Sequence, residues 1–151
     1  MRKVCSVLLL VLICTTGYSQ SYTGSVIRVI DGDTFVFQAP EGSFKVRTLG
    51  TDAPERDQPY SKESAEFLSK YLNKEAVIKI TGIDRYGRSI GILIVKGKDI
   101  NLLSIKSGCS WHYKKYSRDP AYAKAEVYAR KHKAGLWGLP DPVPPAMWRK
   151  K

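Results

Sequence analysis

Between residues 21 and 98 the apolar positions fall into five short runs separated by turn-forming residues. "SYTGSVIRVI" and "TFVFQAP" read as two strands meeting at the acid pair of "DGDT". In "GSFKVRTLG", Phe44 and Val46 alternate with Lys45 and Arg47, the period of a half-buried strand. "EAVIKITG" reads as a fourth strand. "SIGILIVKG" reads as a fifth, apolar on both faces and therefore expected to be deeply buried. "QAPEGS" is a hairpin turn, "DRYGR" another turn, and "TDAPERDQP" a loop rich in proline and acid.

Helical spacing takes over elsewhere. In "SKESAEFLSKYLN", Ala65, Leu68, Tyr71 and Leu72 share one face; Glu63 and Glu66 lie near its start and Lys70 and Lys74 near its end, as the helix dipole favours. "DINLLSIKSG" has Asp99 as cap and Gly108 as stop. In "DPAYAKAEVYARKHKAG", Asp119 caps, Pro120 takes the first position and Gly135 is the expected end. The tail "LPDPVPPAMWRKK" carries four prolines and is expected to be an extended strap or disordered. Three strands, a helix, two strands and further helices predict an α+β domain: a five-stranded OB-fold-type β-barrel with about three helices packed alongside. Such barrels often bind oligonucleotides, although fold alone does not decide function.

The first twenty residues do not follow this pattern. Arg2 and Lys3 precede the apolar run "VCSVLLLVLIC", and small and polar residues follow, which together read as a secretory signal peptide cleaved near Gln20. The run is too short for a convincing membrane span. A lipidated Cys14 is disfavoured because Ile13 stands where a lipobox wants a small residue. The expected organisation is thus a signal over 1–20, one domain over 21–138 and a basic tail over 139–151, in a protein that is secreted or periplasmic.

The 151 residues are 43% hydrophobic, enough for a core, and carry a formal charge of +11. Removing residues 1–20 takes away Arg2 and Lys3 and no acid, so +9 remains with the domain. That balance points to a polyanionic partner: nucleic acid, an anionic membrane surface or an acidic polysaccharide. Cys5 and Cys14 leave with the signal, so Cys109 has no partner for an intramolecular disulfide and is expected to be a small buried hydrophobe.

The chemistry is concentrated where the strands meet the acids. Residues two apart on an extended chain face the same way, so Asp31 and Asp33 can converge, with Gly32 letting the backbone bend. Asp52 follows the third strand and Glu55 comes three residues later. Four acids so placed would repel one another unless a hard cation relieved them. Calcium fits better than magnesium, because it accepts irregular loops and main-chain carbonyls. An EF-hand is excluded by Phe35 and Val36, which stand where a ligand and a glycine are needed. Zinc is disfavoured: Cys109, His112 and His132 have no paired spacing, and both histidines are expected at the surface. Arg47 and Arg88 supply planar forks that can each donate two hydrogen bonds to a phosphate. "GCSWH" fails the serine-hydrolase elbow, since His112 replaces its last glycine, and "WRKK" reads as a solvated tail able to add nonspecific nucleic-acid affinity.

"VIDGDTF", "VRTLGTDAPE" and "DRYGR", in that order and at these separations, closely resemble the staphylococcal nuclease (thermonuclease) family, over roughly residues 22 to 138, with "AGLWG" fitting as well. The resemblance implies a secreted, calcium-dependent nuclease on an OB-fold that cuts DNA and RNA with little base preference and leaves 3′-phosphate ends. On that resemblance Asp33 and Asp52 ligate calcium through their carboxylates and Ala53 through its carbonyl. Family members often have threonine at the position of Ala53, but only the backbone matters there. Glu55 positions or deprotonates the attacking water, and Arg47 and Arg88 hold the phosphate and stabilise its growing charge. Asp31 hydrogen-bonds water on the ion and Thr34 supports the site. Arg85 and Tyr86 are expected to meet a terminal phosphate and a base, and Tyr113 and Tyr116 of "WHYKKYS" are the candidate nucleotide contacts after Gly108. A monomer is expected. The rival readings are a noncatalytic OB module that binds nucleic acid, and a basic protein adhering to envelope polyanions without metal dependence.

Overall fold

A computed structural model describes residues 20–150. The expected signal segment, with Cys5 and Cys14, lies outside the described residues apart from Gln20, which opens the first strand.

Five long strands carry the fold: β1 (Gln20–Val29), β2 (Thr34–Ala39), β3 (Gly42–Thr48), β5 (Glu75–Ile83) and β6 (Ser89–Val95). They pair antiparallel in the order β3-β2-β1-β5-β6, and β3 then pairs parallel with β6, closing the sheet into a barrel. Closure removes the exposed edges that an open sheet would present. Bulges interrupt the register of β1 between Val26 and Arg28 and of β5 between Ile80 and Gly82, as a small, sharply curved barrel needs. The inward residues Phe35, Phe37, Val46, Ile78 and Leu93 are wholly buried. The expectation for β6 needs correction. Gly91, Leu93 and Val95 are buried, but Ile90, Ile92 and Ile94 between them are only half-buried, so one face fills the barrel and the other is partly covered.

Two-residue strands complete the sheets: β4 (Thr51–Asp52) pairs with β8 (Trp111–His112), and β7 (Lys98–Asp99) extends β6. Among the described residues four α-helices pack around the barrel, in line with the expected three or so: α1 (Ser61–Ser69), α2 (Ile100–Lys106), α3 (Pro120–Lys131) and the four-residue α4 (Pro145–Trp148), with a 3₁₀ turn at Gly135–Gly138. α1 stops at Ser69, and its buried face is Ser64, Phe67 and Leu68. Tyr71 and Leu72 pack on the core from beyond its end, so the expected four-residue stripe is split between helix and loop. Asp99 caps α2 and Asp119 caps α3 through their carboxylates, as expected. α3 ends at Lys131, ahead of Gly135, because Lys133 itself takes the left-handed turn at φ 50°. Gly135, also left-handed at φ 55°, is instead pressed against the Gly108 backbone, where a Cβ would lie 2.4 Å from a carbonyl oxygen. Cys109 is buried and unpaired, as expected.

The tail is neither fully extended nor detached. It crosses back over the body and ends in α4, with Pro145 buried. Asp141, Pro142, Val143, Pro144 and Met147 line a cavity of about 550 Å³ together with Trp111, Trp137 and Arg130. Among the described residues no helix is long and apolar enough to cross a membrane.

Candidate active site

The "DGDT" stretch is both a turn and a part of a site. Ile30 and Asp31 donate their amides to the Thr34 carbonyl, closing the bend between β1 and β2. Asp31 accepts from the Asp33 amide at 3.1 Å, so its carboxylate orders the bend, as aspartates do in tight turns. Asp33 is thereby aimed inward and is 7% exposed. Its carboxylate accepts from the Ala53 amide at 2.7 Å and from the Thr34 hydroxyl at 3.1 Å. The Asp33 carbonyl receives both the amide and the hydroxyl of Thr48. One aspartate thus ties the β1–β2 bend to the end of β3 and to the loop after β4.

Asp52 is placed by a second set of contacts. β4 is held by β8 through the pairings Thr51–His112 and Asp52–Trp111. Asn101, buried on α2, donates to the carbonyls of Leu49 and Gly91 and accepts from the Leu93 amide. The turn at Leu49–Gly50 that leads into β4 is therefore fixed to the barrel wall. The buried amide makes three hydrogen bonds, as a polar side chain in a core must to be tolerated.

Arg47 lies between the two acids. It sits on β3 opposite Thr34, with its side chain 14% exposed. Its Nη1 is 2.5 Å from Asp33 Oδ2, an ion pair that is off-line for a hydrogen bond, and its Nη2 donates to Asp52 Oδ1 at 3.2 Å. Burial nonetheless pushes the Asp33 carboxyl up to about 7, with Arg47 pulling it down and Asp31 adding to the rise. Burial also raises Asp52; Arg149 and Arg47 oppose that shift and Glu55 adds to it. The site holds more buried acid than its arginines fully compensate.

Arg88 lies next to this group, at the entry to the strand that pairs with β3. It stands just before β6 rather than within it, and its Nε donates to Asp84 at 2.7 Å across the turn. Its Nη1 approaches the Thr34 hydroxyl at 3.4 Å. Burial alone would raise the Asp84 carboxyl, but hydrogen bonds from Arg88 and Tyr86 outweigh it and hold the pKa below the usual carboxylate value. Tyr86 is 68% exposed, with the guanidinium groups of Arg85 and Arg88 4.8 and 5.6 Å from its ring centre. Tyr113 and Tyr116 meet edge to face at 4.9 Å, and Tyr116 is 60% exposed.

One cleft of about 900 Å³ joins these parts. Asp31, Asp33, Arg47, Ala53, Glu55, Arg85, Tyr86, Arg88, Tyr113 and Tyr116 all line it. Asp52 and Thr34 lie buried behind its wall and reach it through Arg47, Arg88 and Arg149. The residues proposed from sequence therefore converge, with one correction. The four acids do not form a close group: Asp31 is engaged in its own turn and Glu55 by an arginine, and among the described residues no group of three His, Cys, Asp or Glu is arranged to hold a metal ion.

Two further contributors escaped the sequence reading. His112 is buried at 6% exposure rather than at the surface, because pairing of β8 with β4 draws it under α3 against Tyr122. Arg149, read as part of a solvated tail, reaches the cleft. Its Nη1 and Nη2 lie 3.3 Å from the two oxygens of Asp52, and Nη1 also bonds Glu55. The one hint in the sequence was Trp148 beside it, an aromatic residue costly to leave in water.

A closed barrel whose mouth gathers buried carboxylates, phosphate-sized guanidinium forks and exposed tyrosines defines an enzyme that cleaves nucleic-acid phosphodiesters. Residues 45–138 match the family described as staphylococcal nuclease homologue, and the chain belongs to that family. It is 34% identical over 128 residues to an uncharacterized endonuclease of Escherichia coli O157:H7, covering 83% of this chain and 84% of the relative. It is 33% identical over 148 residues to an uncharacterized endonuclease of Haemophilus influenzae, covering 97% of this chain and 83% of that one. A staphylococcal-like nuclease of Arabidopsis thaliana, CAN1, is 36% identical over 108 residues, 71% of this chain and 33% of the plant protein. The chain is accordingly a nuclease, as expected, and the rival reading of a noncatalytic binding module is set aside.

Proposed function

We propose that this nuclease is calcium-dependent and hydrolyses both DNA and RNA with little base preference, the 5′-oxygen leaving so that 3′-phosphate ends result. The observation that carries the reading is the single cleft lined by Asp33, Arg47, Ala53, Glu55 and Arg88.

The donor set suits calcium. Asp33 and Asp52 are buried oxygen ligands, both pushed towards the protonated form by burial, and added positive charge would restore their ionisation. A flexible oxygen shell completed by the Ala53 carbonyl and water is within calcium's habits and outside magnesium's. Asp33, Asp52 and Ala53 would hold the ion, which when bound would polarise the scissile phosphate and the attacking water.

The chain's own groups supply the rest. Glu55, on the loop after β4 with its side chain about one-third exposed, directs water at phosphorus and accepts its proton. A general base is worth about 10²–10⁴-fold. Arg47 on β3 and Arg88 at the entry to the neighbouring β6 face the phosphate and neutralise the charge that grows on its oxygens, each worth about 10²–10³-fold for a preorganised donor. Asp31 and Thr34 keep Asp33 and Arg88 oriented. Neither base nor arginines alone approach the roughly 10¹⁷-fold that inert phosphodiesters demand, so base, arginines, ion and positioning act together.

Exposed tyrosines suit a substrate read without base selectivity, because every base offers a face to stack on. Tyr86 with Arg85, and Tyr113 with Tyr116, line the cleft and are the groups available to meet bases and phosphates. The charge-then-apolar pattern of the first twenty residues supports export to the periplasm or the medium.

Digestion of a plasmid and of a single-stranded RNA, each with calcium or with chelator, tests the proposal. Cleavage of both that is lost with chelator and restored by calcium is expected. Undiminished cutting in chelator would remove the metal from the account.

A further inference from the structure

We infer that the C-terminal strap is an autoinhibitory latch: Arg149 occupies the carboxylates of Asp52 and Glu55 and must leave them before a cation can bind. This inference rests on the calcium reading of the site and adds to it an internal competitor.

The latch is built from the strap's attachments. The Gln58 side chain donates to the Val143 carbonyl at 2.5 Å, and its amide oxygen accepts from the Glu55 amide at 3.1 Å. The same residue therefore grips the strap and shapes the loop that carries Glu55. Trp148 Nε1 donates to Asp57 at 3.1 Å, and Pro145 is buried against the body. These contacts place Arg149, the next residue after α4, at the cleft. Its fork spans both oxygens of Asp52, and one of the same nitrogens reaches Glu55. With Arg47 already on Asp52 Oδ1, both Asp52 oxygens face guanidinium.

This arrangement opposes catalysis in two places. A carboxylate spanned by an arginine fork has a lone pair on each oxygen directed at nitrogen, and the guanidinium charge beside it repels an incoming cation. A Glu55 oxygen already bonded to Arg149 is not free to accept a hydrogen bond from an attacking water. Burial alone would lower the Arg149 pKa, but the hydrogen bonds it donates to Asp52 and Glu55 outweigh that and raise it, so the guanidinium stays charged. Asp52 is almost wholly covered, whereas the Arg149 side chain is 41% exposed. The pair is thus reachable from solvent on the arginine side only, and release is by withdrawal of the strap rather than by rearrangement of the barrel.

Two mutually exclusive cations on one carboxylate pair obey simple linkage: the affinity for calcium is lowered by the fraction of time the latch is closed. Calcium titration by calorimetry, comparing the parent chain with Arg149→Ala and Arg149→Lys, reads this directly without turnover. A latch closed nine-tenths of the time predicts about ten-fold tighter calcium binding by Arg149→Ala, with Arg149→Lys in between. Calcium should also speed trypsin cleavage at Arg149 in the parent chain, because the strap is released. A circular dichroism spectrum of each variant checks that it is folded. Equal calcium affinity in parent and Arg149→Ala, or tighter binding by the parent, overturns the latch and leaves the metal site standing. Absence of calcium binding by every form overturns the metal reading and the latch with it.

Discussion

Gly32 and Ser64 touch across the junction of the β1–β2 bend and α1: a Cβ on Gly32 would lie 1.9 Å from Ser64 Oγ and 2.7 Å from the Ala53 Cβ. Gly32 does not take a left-handed φ, so its lack of a side chain serves close approach and not backbone bending. Ser64 in turn donates to the Cys109 carbonyl at 2.6 Å and is wholly buried, which leaves it little freedom to withdraw. Gly32→Ala should therefore cost about 1–3 kcal/mol, the usual range for overpacking. It should also lower turnover, because the displaced atoms are those that bring Ala53 to Asp33. Ser64→Gly should restore part of the stability of Gly32→Ala, as measured by denaturant unfolding. A Gly32→Ala protein as stable and active as the parent would show that the bend accommodates a side chain elsewhere.

Arg47→Ala should reduce turnover by about 10²–10³-fold, the value of one preorganised donor, while the barrel persists. The fold survives because the inward face of β3 is held by Val46 and not by Arg47. Arg47→Lys should recover little activity: a point-like ammonium cannot span Asp33 and Asp52 or donate a fork to phosphate. Single-turnover rates on a short DNA, alongside circular dichroism spectra of each variant, check both statements. Full activity in Arg47→Lys would mean that charge alone suffices.

The pH dependence of stability should carry a contribution from His112. Burial lowers its pKa from the usual 6.5, with Glu126 pulling upward and Lys114 adding to the fall. The unfolded chain therefore takes up the proton first as pH drops. The stability that His112 contributes is present above about pH 6.5 and is lost as pH falls through and below that value. Asp33 has the opposite sign, because its carboxyl is raised to about 7 in the fold, so the whole protein shows a mixed profile. Comparing the melting temperature of the parent and His112→Gln between pH 5 and 8 isolates the histidine term. The gap between the two curves should change across pH 6.5 in the direction that penalises the parent at acid pH. A constant gap would mean that His112 keeps its ordinary pKa.

The barrel was legible because its signals are local. Alternation in "FKVRT" and the caps Asp99 and Asp119 each act within a few residues, and the strands and helix starts fall where they indicate. The grouping of Asp33, Asp52, Arg47 and Arg88 was suggested by their spacing at strand ends and strengthened by resemblance, but their actual meeting depends on which strand ends come together when β3 closes on β6. What escaped the sequence depends on pairing at long range. The burial of His112 follows from a two-residue strand too short to leave a period. The end of α1 at Ser69 cuts across a helical stripe that continues past it. Arg149 lies 97 residues from Asp52, and its route is set by a proline-rich strap whose docking on Gln58 and Asp57 no periodicity announces.

Tyr86 offers the clearest separation of substrate binding from chemistry. It projects from the turn before β6, flanked by the guanidinium groups of Arg85 and Arg88, and its hydroxyl accepts from Arg85 at 2.6 Å. A ring so exposed contributes little to folding, but it can stack on a base while the two arginines meet the adjoining phosphates. Base stacking on an aromatic side chain is worth about 1–3 kcal/mol, so Tyr86→Ala should raise KM for a single-stranded oligonucleotide by roughly 5- to 150-fold. kcat should change far less, since Arg88 remains anchored by Asp84 through a bond that does not involve the ring. Tyr86→Phe keeps the stacking face and loses only the hydroxyl, so it should behave almost as the parent. Steady-state kinetics of the two variants decide the matter. A fall in kcat at unchanged KM for Tyr86→Ala would instead make the ring a brace for Arg88, with no direct part in holding the substrate.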